Sequence, residues 1–310
     1  MIPDSDYTPP ASSAMLKTQD TLEALRLLIA QRRLYRRAKR WLAFRWFGMA
    51  VIGVFAPIVS VLNPGMAVWA GAIAGLWLFL GRTLIELIQA ATTARAAAVQ
   101  EQFDVLVFGM PESIDRSALP TLEEIAKIAG PDESIPKVAR KEKLVAWYPM
   151  VEADSGGALS VAVSQRSNAA YANQLMRQPR LSGGIVTMLW TIGIIAASVL
   201  VGLSLLMFIA GVLLPLLPAL LDIGEHVTGI WRAAKERADL TRTIEKRVRS
   251  SAAINAQDLL VWQSRLYELR CSSPEVPDFI YAIKRKSNER TMHSAARQLS
   301  QKAQGRSGTS

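Results

Sequence analysis

The chain has 310 residues, half of them hydrophobic, with a formal net charge of +10 and one cysteine. The single thiol, Cys271, excludes a disulfide framework and fits a reducing compartment. The apolar residues are concentrated: residues 46–81 and 181–221 are blocks of 36 and 41 residues without one charge, and a soluble core helix rarely runs that far without a polar face.

In chain order, residues 1–20 contain Pro, Ser and Asp and read as a disordered segment. They lack a signal-peptide pattern, the first apolar block starting too far in. Asp20 and Thr21 are candidate N-caps for a helix running through RRLYRRAKRW into the first apolar block. Leu22, Leu25, Leu28 and Ile29 give it an apolar stripe, and residues 21–45 form a basic juxtamembrane helix. Residues 46–81 split at Asn63-Pro64-Gly65, where Pro removes a backbone donor and Gly permits positive φ. The halves, 46–62 and 66–81, are about 16 to 17 residues long, near the lower limit for a membrane span. Arg45 and Arg82 can snorkel, so Phe44 and Leu84 can extend them. Ala67, Gly71 and Gly75 recur every four residues, a small-residue stripe expected to pack within the chain. Gly193 and Ala197 repeat the pattern.

Residues 82–180 read as a cytoplasmic helical region. Its first helix stops at Pro111. Pro120 opens TLEEIAKIAG, with Glu123 and Glu124 in the first turn and Gly130 as the stop. Helices around 137–147 and 158–176 follow. Residues 181–221 break best at Gly202 and Ser204, giving spans 184–201 and 205–221, since one helix would rise roughly 60 Å, twice a bilayer core. Pro215 and Pro218 are candidate hinges in the last span; each removes a helical hydrogen bond, and a static kink and a gate are both open readings. Residues 222–300 form C-terminal cytoplasmic helices, one or two over 225–269 and a last one from Ser272-Ser273-Pro274. Residues 301–310 read as a disordered tail. No run alternates with period two. The expected fold is an all-α membrane protein, four transmembrane helices in two hairpins with a cytoplasmic helical domain.

Charge sets the expected orientation. Residues 1–45 sum to +5, 82–180 to −1 and 222–310 to +6, while neither turn carries a lysine or arginine. Positive flanks stay inside, so both termini are expected in the cytoplasm of a multi-pass protein of the bacterial inner membrane. The basic flanks read as topology signals that touch anionic lipid rather than as a nucleic-acid surface, because no nucleic-acid motif accompanies them.

Several chemistries lack their residues. No span holds an ionisable group of the kind proton relays and voltage sensors use. Ser60, Thr187, Thr191 and Ser198 have no base or paired carboxylate at depth. His226 and His293 are far apart and no Cys/His cluster offers a metal site. The chain has no GxxxxGK[ST] loop and no GxGxxG. We therefore expect no enzyme, no catalytic residue, no cofactor and no metal.

Outside the spans, AWYP (residues 146–149) precedes SQRSNAAY (residues 164–171). Leu159, Val163, Arg166 and Ala170 share one helical face, so Arg166 stands where an apolar residue is expected. A charge there needs a carboxylate, with Asp258 or Asp104 as partners, or an anionic ligand such as a phosphate, with Trp147 or Tyr148 stacking on a base. Both readings are open.

Together, AQRRLYRRAKR, FDVLVFGMP, AWYP, SQRSN, INAQDLLVWQSR and VPDFIY, ordered around two apolar hairpins over roughly residues 22–285, resemble the SMODS-associated four-transmembrane pore-forming effectors. Two departures stand beside the motifs: Glu112 follows Pro111, and Ala169-Ala170 precede Tyr171, where members often carry aromatics. The resemblance implies an effector of anti-phage, abortive-infection signalling. A neighbouring nucleotidyltransferase supplies a cyclic oligonucleotide, and the activated effector compromises the inner membrane. By position, Trp147, Tyr148, Gln165, Arg166, Asn168, Asp258, Arg265 and Asp278 match the family's recurring residues, which makes them candidate ligand groups or contacts that hold the helical domain together. Four packed helices leave no lumen, so a pore needs a homo-oligomer, and uncharged spans point to a hydrophobic gate rather than an ion filter. The partners expected are the lipid bilayer, a cyclic nucleotide and further copies of the chain, with no nucleic acid. The competing readings are a non-conducting membrane scaffold that recruits a cytoplasmic partner, and a transporter subunit, which the uncharged spans disfavour.

Overall fold

The computed structural model describes residues 7–111, 118–148, 156–177, 202, 204–250 and 253–275, together with 192, 193, 195, 196, 199 and 200. Every regular element among the described residues is helical, as expected.

Residues 12–18, expected within a disordered segment, instead form helix α1 (Ser12–Thr18). Met15 and Gln19 are fully buried, and the Ser12 hydroxyl hydrogen-bonds that of Ser160. A Met side chain inside the core supplies the apolar anchor that composition alone obscured.

Helix α2 (Leu22–Leu62) is one rod of 41 residues, roughly 60 Å long at 1.5 Å per residue. Its N-cap is Thr21, whose hydroxyl accepts the Ala24 N–H at 3.3 Å. Leu25, Leu28, Ile29 and Leu34 are buried against α4, while Leu22 is exposed. The rod passes Pro57 without breaking and ends at the expected turn. There the Asn63 side chain accepts the Gly65 N–H at 3.1 Å, and Pro64–Met66 forms a single 3₁₀ turn. Helix α3 (Ala67–Leu80) runs back, and a π turn (Gly81–Ile85) joins it to α4 (Glu86–Phe108). An inserted residue rotates the side-chain register by roughly 100° between the apolar and polar halves.

The two apolar legs touch through aromatic groups. Trp77 lies against Gly48, where any Cβ would collide with the indole. The Trp77 Nε1–H donates to the Arg45 carbonyl at 3.3 Å, and its ring meets Phe44 edge-on at 5.4 Å. The expected small-residue stripe is not used this way. A Cβ on Gly71, Gly75 or Gly193 would meet nothing within 4 Å, and the buried position on α3 is Ala74; Ala197 lies outside the described residues. Outward, Phe47, Phe55, Ile58, Leu62, Val68, Trp69, Ile73, Leu76 and Phe79 are all exposed, a surface far larger than soluble monomers leave open. Among the described residues, Leu22–Val59 and Val68–Phe108 are long and apolar enough to cross a membrane.

The polar halves build a compact helical core. Helix α5 (Leu122–Ala129) starts in a capping box, Thr121 and Glu124 each bonding the other's backbone N–H. Helix α6 (Ile135–Glu142) is shorter than the expected 137–147, because Lys143 adopts φ 56° and lets the buried Leu144 turn back, its N–H bonding the Ala139 carbonyl. Helix α7 (Gly157–Arg177) packs along the long helix Leu214–Arg249, and α10 (Ala256–Ser272) packs against α4 and α7. Phe103, Phe108, Ile135, Leu144, Ile244, Leu259 and Leu269 fill the centre.

In the second apolar block, Gly202 takes φ 69° in a turn, bonding its N–H to the Val199 carbonyl, and Ser204 lies outside any helix. The break thus falls where expected. Of the preceding leg, expected over 184–201, residues 184–191, 194, 197, 198 and 201 lie outside the described residues. After the turn come α8 (Leu205–Phe208), a π turn (Ile209–Leu213) and α9 (Leu214–Arg249). Pro215 is at the second position of α9, directly after the π turn, so the rod continues through Pro215 and Pro218. The π turn is the local adjustment that absorbs a missing donor. Residues 225–269 form two helices, not one. The last helix expected from Ser272-Ser273-Pro274 falls past 275, outside the described residues, as does the tail, 301–310.

Candidate functional site

Three helices bring polar side chains into the centre of the core at helical spacing. Helix α4 carries Glu101 and Asp104, α7 carries Gln165 and Asn168, and α10 carries Gln263 and Arg270; residues three or seven apart share a face. Arg270 donates from Nη2 to Asp104 at 2.6 Å and from Nη1 to Glu101 at 3.3 Å. These three side chains are 5%, 1% and 4% exposed. Gln263 Nε2 donates to Glu101 at 2.7 Å and Asp104 at 3.0 Å, and Gln165 Nε2 donates to Gln263 Oε1 at 3.0 Å and to the Leu259 carbonyl at 2.9 Å.

Tyr148 closes the network. Its hydroxyl donates to Asp104 at 2.6 Å and accepts from Asn168 Nδ2 at 3.2 Å. Its ring lies 6.0 Å from Phe103 and 5.2 Å from Phe108. Its N–H donates to Gln19 Oε1 at 2.9 Å, so the end of α1 fixes the loop that carries it. Burial, reinforced by the Asp104 charge, pushes the Tyr148 hydroxyl well above its usual pKa, so it stays protonated as a donor. Burial pulls the Arg270 guanidinium down, but Asp104, Tyr148 and Glu101 outweigh it and hold the group above its ordinary value. Arg237, buried beside it and donating to the Leu269 carbonyl at 3.0 Å, is lowered by burial to about 10.

The candidate ligand residues therefore separate. Tyr148, Gln165 and Asn168 meet in this network, and Trp147 packs half-buried against the same core. Arg166 turns away from it. Neither expected partner reaches it: Asp104 is held by Arg270 and Tyr148, and Asp258 caps α10 with Asn255 and pairs with Arg247 at 2.9 Å. The partner is Glu245 of α9, contacted from Nε at 2.9 Å and Nη2 at 2.6 Å. Among the described residues, Nη1 of Arg166 and Oε1 of Gln165 have no hydrogen-bond partner. Arg265 bridges Glu236 and Glu268 at the surface. Asp278 lies outside the described residues. Glu101, Gln263, Arg270 and Gln19 were missed; the visible signal was two carboxylates three apart within the apolar AAAVQEQFDVLVF.

A second polar cluster sits where the apolar legs meet the core. Arg45 is buried and pairs with Asp222 of α9 at 2.6 Å and with Glu86 of α4 at 3.1 Å. Arg82 pairs with Glu225. The Trp46 indole meets the His226 ring edge-on, centroids 4.7 Å apart. Burial, with Arg45 adding to it, lowers the His226 pKa to about 4. Between pH 6.5 and 4 the unfolded chain binds a proton that the folded site refuses, so this residue costs stability as pH falls through that window. Replacing His226 with phenylalanine should flatten that part of the pH profile of the thermal midpoint relative to the unaltered protein, leaving the profile above pH 7 unchanged.

Residues 14–299 match the SMODS-associating 4TM effector domain. The chain belongs to this family. A relative named as a probable CBASS effector molecule, from Bacillus cereus (strain VD146), is 23% identical over 287 residues, covering 90% of this chain and 95% of that protein. No solved structure matches the chain. Family and exposed apolar legs together make this chain a membrane protein, and the polar network lies on the part of its helices that leaves the apolar zone.

Proposed function

We propose that this 4TM effector acts in CBASS-type anti-phage defence: a cyclic oligonucleotide binds its cytoplasmic helices, and the protein permeabilises the bacterial inner membrane, without catalysis of its own. In this reading it spans the membrane four times in two hairpins, keeps both termini in the cytoplasm and assembles into a homo-oligomer when activated. The observation that carries the reading is mechanical continuity. Helices α2 and α9 each run without a break from the buried polar core into the apolar zone, so a shift in the core reaches the membrane through rods rather than linkers. A ligand moves the closed–open equilibrium only by binding the open arrangement more tightly.

Within that reading, Arg166 is the anion-binding group. Its side chain is 12% exposed, and its buried Nη1 has no hydrogen-bond partner among the described residues. The Glu245 carboxylate competes with a ligand phosphate for the guanidinium. In dye-loaded liposomes containing the full chain, one member of a panel of cyclic di- and trinucleotides should trigger leakage. Arg166→Ala should abolish it at least tenfold, and Glu245→Gln, which frees the guanidinium, should lower the nucleotide concentration required. A purely structural pair predicts that both substitutions impair leakage alike. Leakage with no nucleotide of the panel, from folded protein, would sink the proposal.

A further inference from the structure

One face of α2 changes character along its length in a way that locates a lipid. Positions 33, 36, 37, 40, 44, 47, 51, 54, 55, 58 and 62 fall within roughly 100° of arc at 100° per residue. At the inner end, Arg33 donates to the Ile128 and Ala129 carbonyls and Arg36 pairs with Glu142. At the outer end, Phe44, Phe47, Val51, Val54, Phe55, Ile58 and Leu62 are exposed. Between them stand Arg37 and Arg40, exposed and with no hydrogen bond or ion pair among the described residues.

From Phe44 to Leu62 the helix rises about 27 Å, close to the thickness of a hydrocarbon core. Phe44 therefore marks its inner edge. Arg40 and Arg37 lie about 6 and 10 Å further along the axis. The headgroup layer occupies roughly 5–7 Å beyond each edge, and long basic side chains lean toward it. We propose that Arg37 and Arg40 bind the phosphates of anionic phospholipids of the inner leaflet. The lipid takes the place of the acidic partner that Arg36, one turn above Arg40, finds in Glu142. This inference rests on the membrane reading above and adds a ligand class to it. Two guanidinium groups at this depth are expected to favour an anionic over a zwitterionic headgroup by roughly tenfold or more.

The test uses the full chain in mild detergent with equimolar phosphatidylglycerol and phosphatidylcholine of identical acyl chains, bound lipid being counted by native mass spectrometry. The unaltered protein should retain phosphatidylglycerol about tenfold over phosphatidylcholine. Arg37→Gln with Arg40→Gln should bring the ratio near parity, each single substitution falling between. Arg232→Gln with Lys246→Gln, two exposed basic residues of α9, should keep the original ratio. Parity in the unaltered protein, or equal loss in both double variants, overturns the site, the second outcome leaving only net charge. Displacement of the lipid by an equal concentration of glycerol phosphate also overturns it, in favour of a soluble phosphate ligand. A chain that stays in solution without detergent would defeat the membrane reading itself; one that embeds but shows no headgroup preference defeats this inference alone.

Discussion

Arg270→Met should lower the stability of the protein by about 3–5 kcal/mol, the cost of leaving a buried charge without its partner. That is a large fraction of the 5–15 kcal/mol that typically separates native from unfolded states. Methionine fills similar space, so the loss is electrostatic: Glu101 and Asp104, both almost fully buried, keep Gln263 and Tyr148 as donors but lose the guanidinium that pairs with both. Burial without a counter-charge raises a carboxyl's folded pKa above its unfolded value. The folded variant then binds protons more readily than the unfolded chain, and its stability falls as pH rises through that window. The gap between variant and unaltered protein in thermal unfolding should thus be wider at pH 8 than at pH 5.5. Removing all three charges, with Glu101→Gln and Asp104→Asn added, should recover most of the loss. A gap independent of pH, or no recovery in the triple variant, would mean that Arg270 acts through packing alone.

The network that this variant breaks was only partly readable beforehand. Local signals served well where a residue acts on its own neighbourhood: Asn63-Pro64-Gly65 turns the first hairpin, Thr121 with Glu124 and Asn255 with Asp258 open helices, and Gly202 takes the left-handed conformation that breaks the second apolar block. Arg166 stands out in the sequence as a charge on an apolar helix face, yet its partner, Glu245, is chosen by how α7 lies along α9, which spacing does not encode. Gln263 and Arg270 fall on one face of α10, but nothing local says that Glu101 and Asp104 of α4 stand opposite. Asp258 looked like a ligand residue because it recurs with its motif; its backbone and side-chain bonds are those of a capping box. Met15 and Gln19 sit in a stretch whose composition reads as unstructured, and only contact with the core orders it.

Where the apolar legs meet the core, the decisive pair is Arg45 with Asp222, side chains 7% and 2% exposed. Glu86, half exposed, adds a weaker contact. The pair ties α2 of the first hairpin to α9, the helix that continues from the second apolar block, at the level where the core gives way to the apolar legs. Asp222→Leu leaves the guanidinium with the half-exposed Glu86 carboxylate and Arg45→Met strands the Asp222 carboxylate; each should cost about 3 kcal/mol, the lower end for a broken buried pair. The lower end applies because Arg45 Nε and Asp222 Oδ2 already have no hydrogen-bond partner among the described residues, so the intact pair is imperfectly compensated. The double variant, with neither charge buried, should be more stable than either single variant, and the resulting coupling energy isolates the pair from packing changes. If the pair holds the legs in the closed arrangement, each single variant in dye-loaded liposomes leaks without added nucleotide, and the double variant leaks less than either. Tight vesicles for both single variants, with stability reduced as stated, would make the pair a structural clamp with no share in gating.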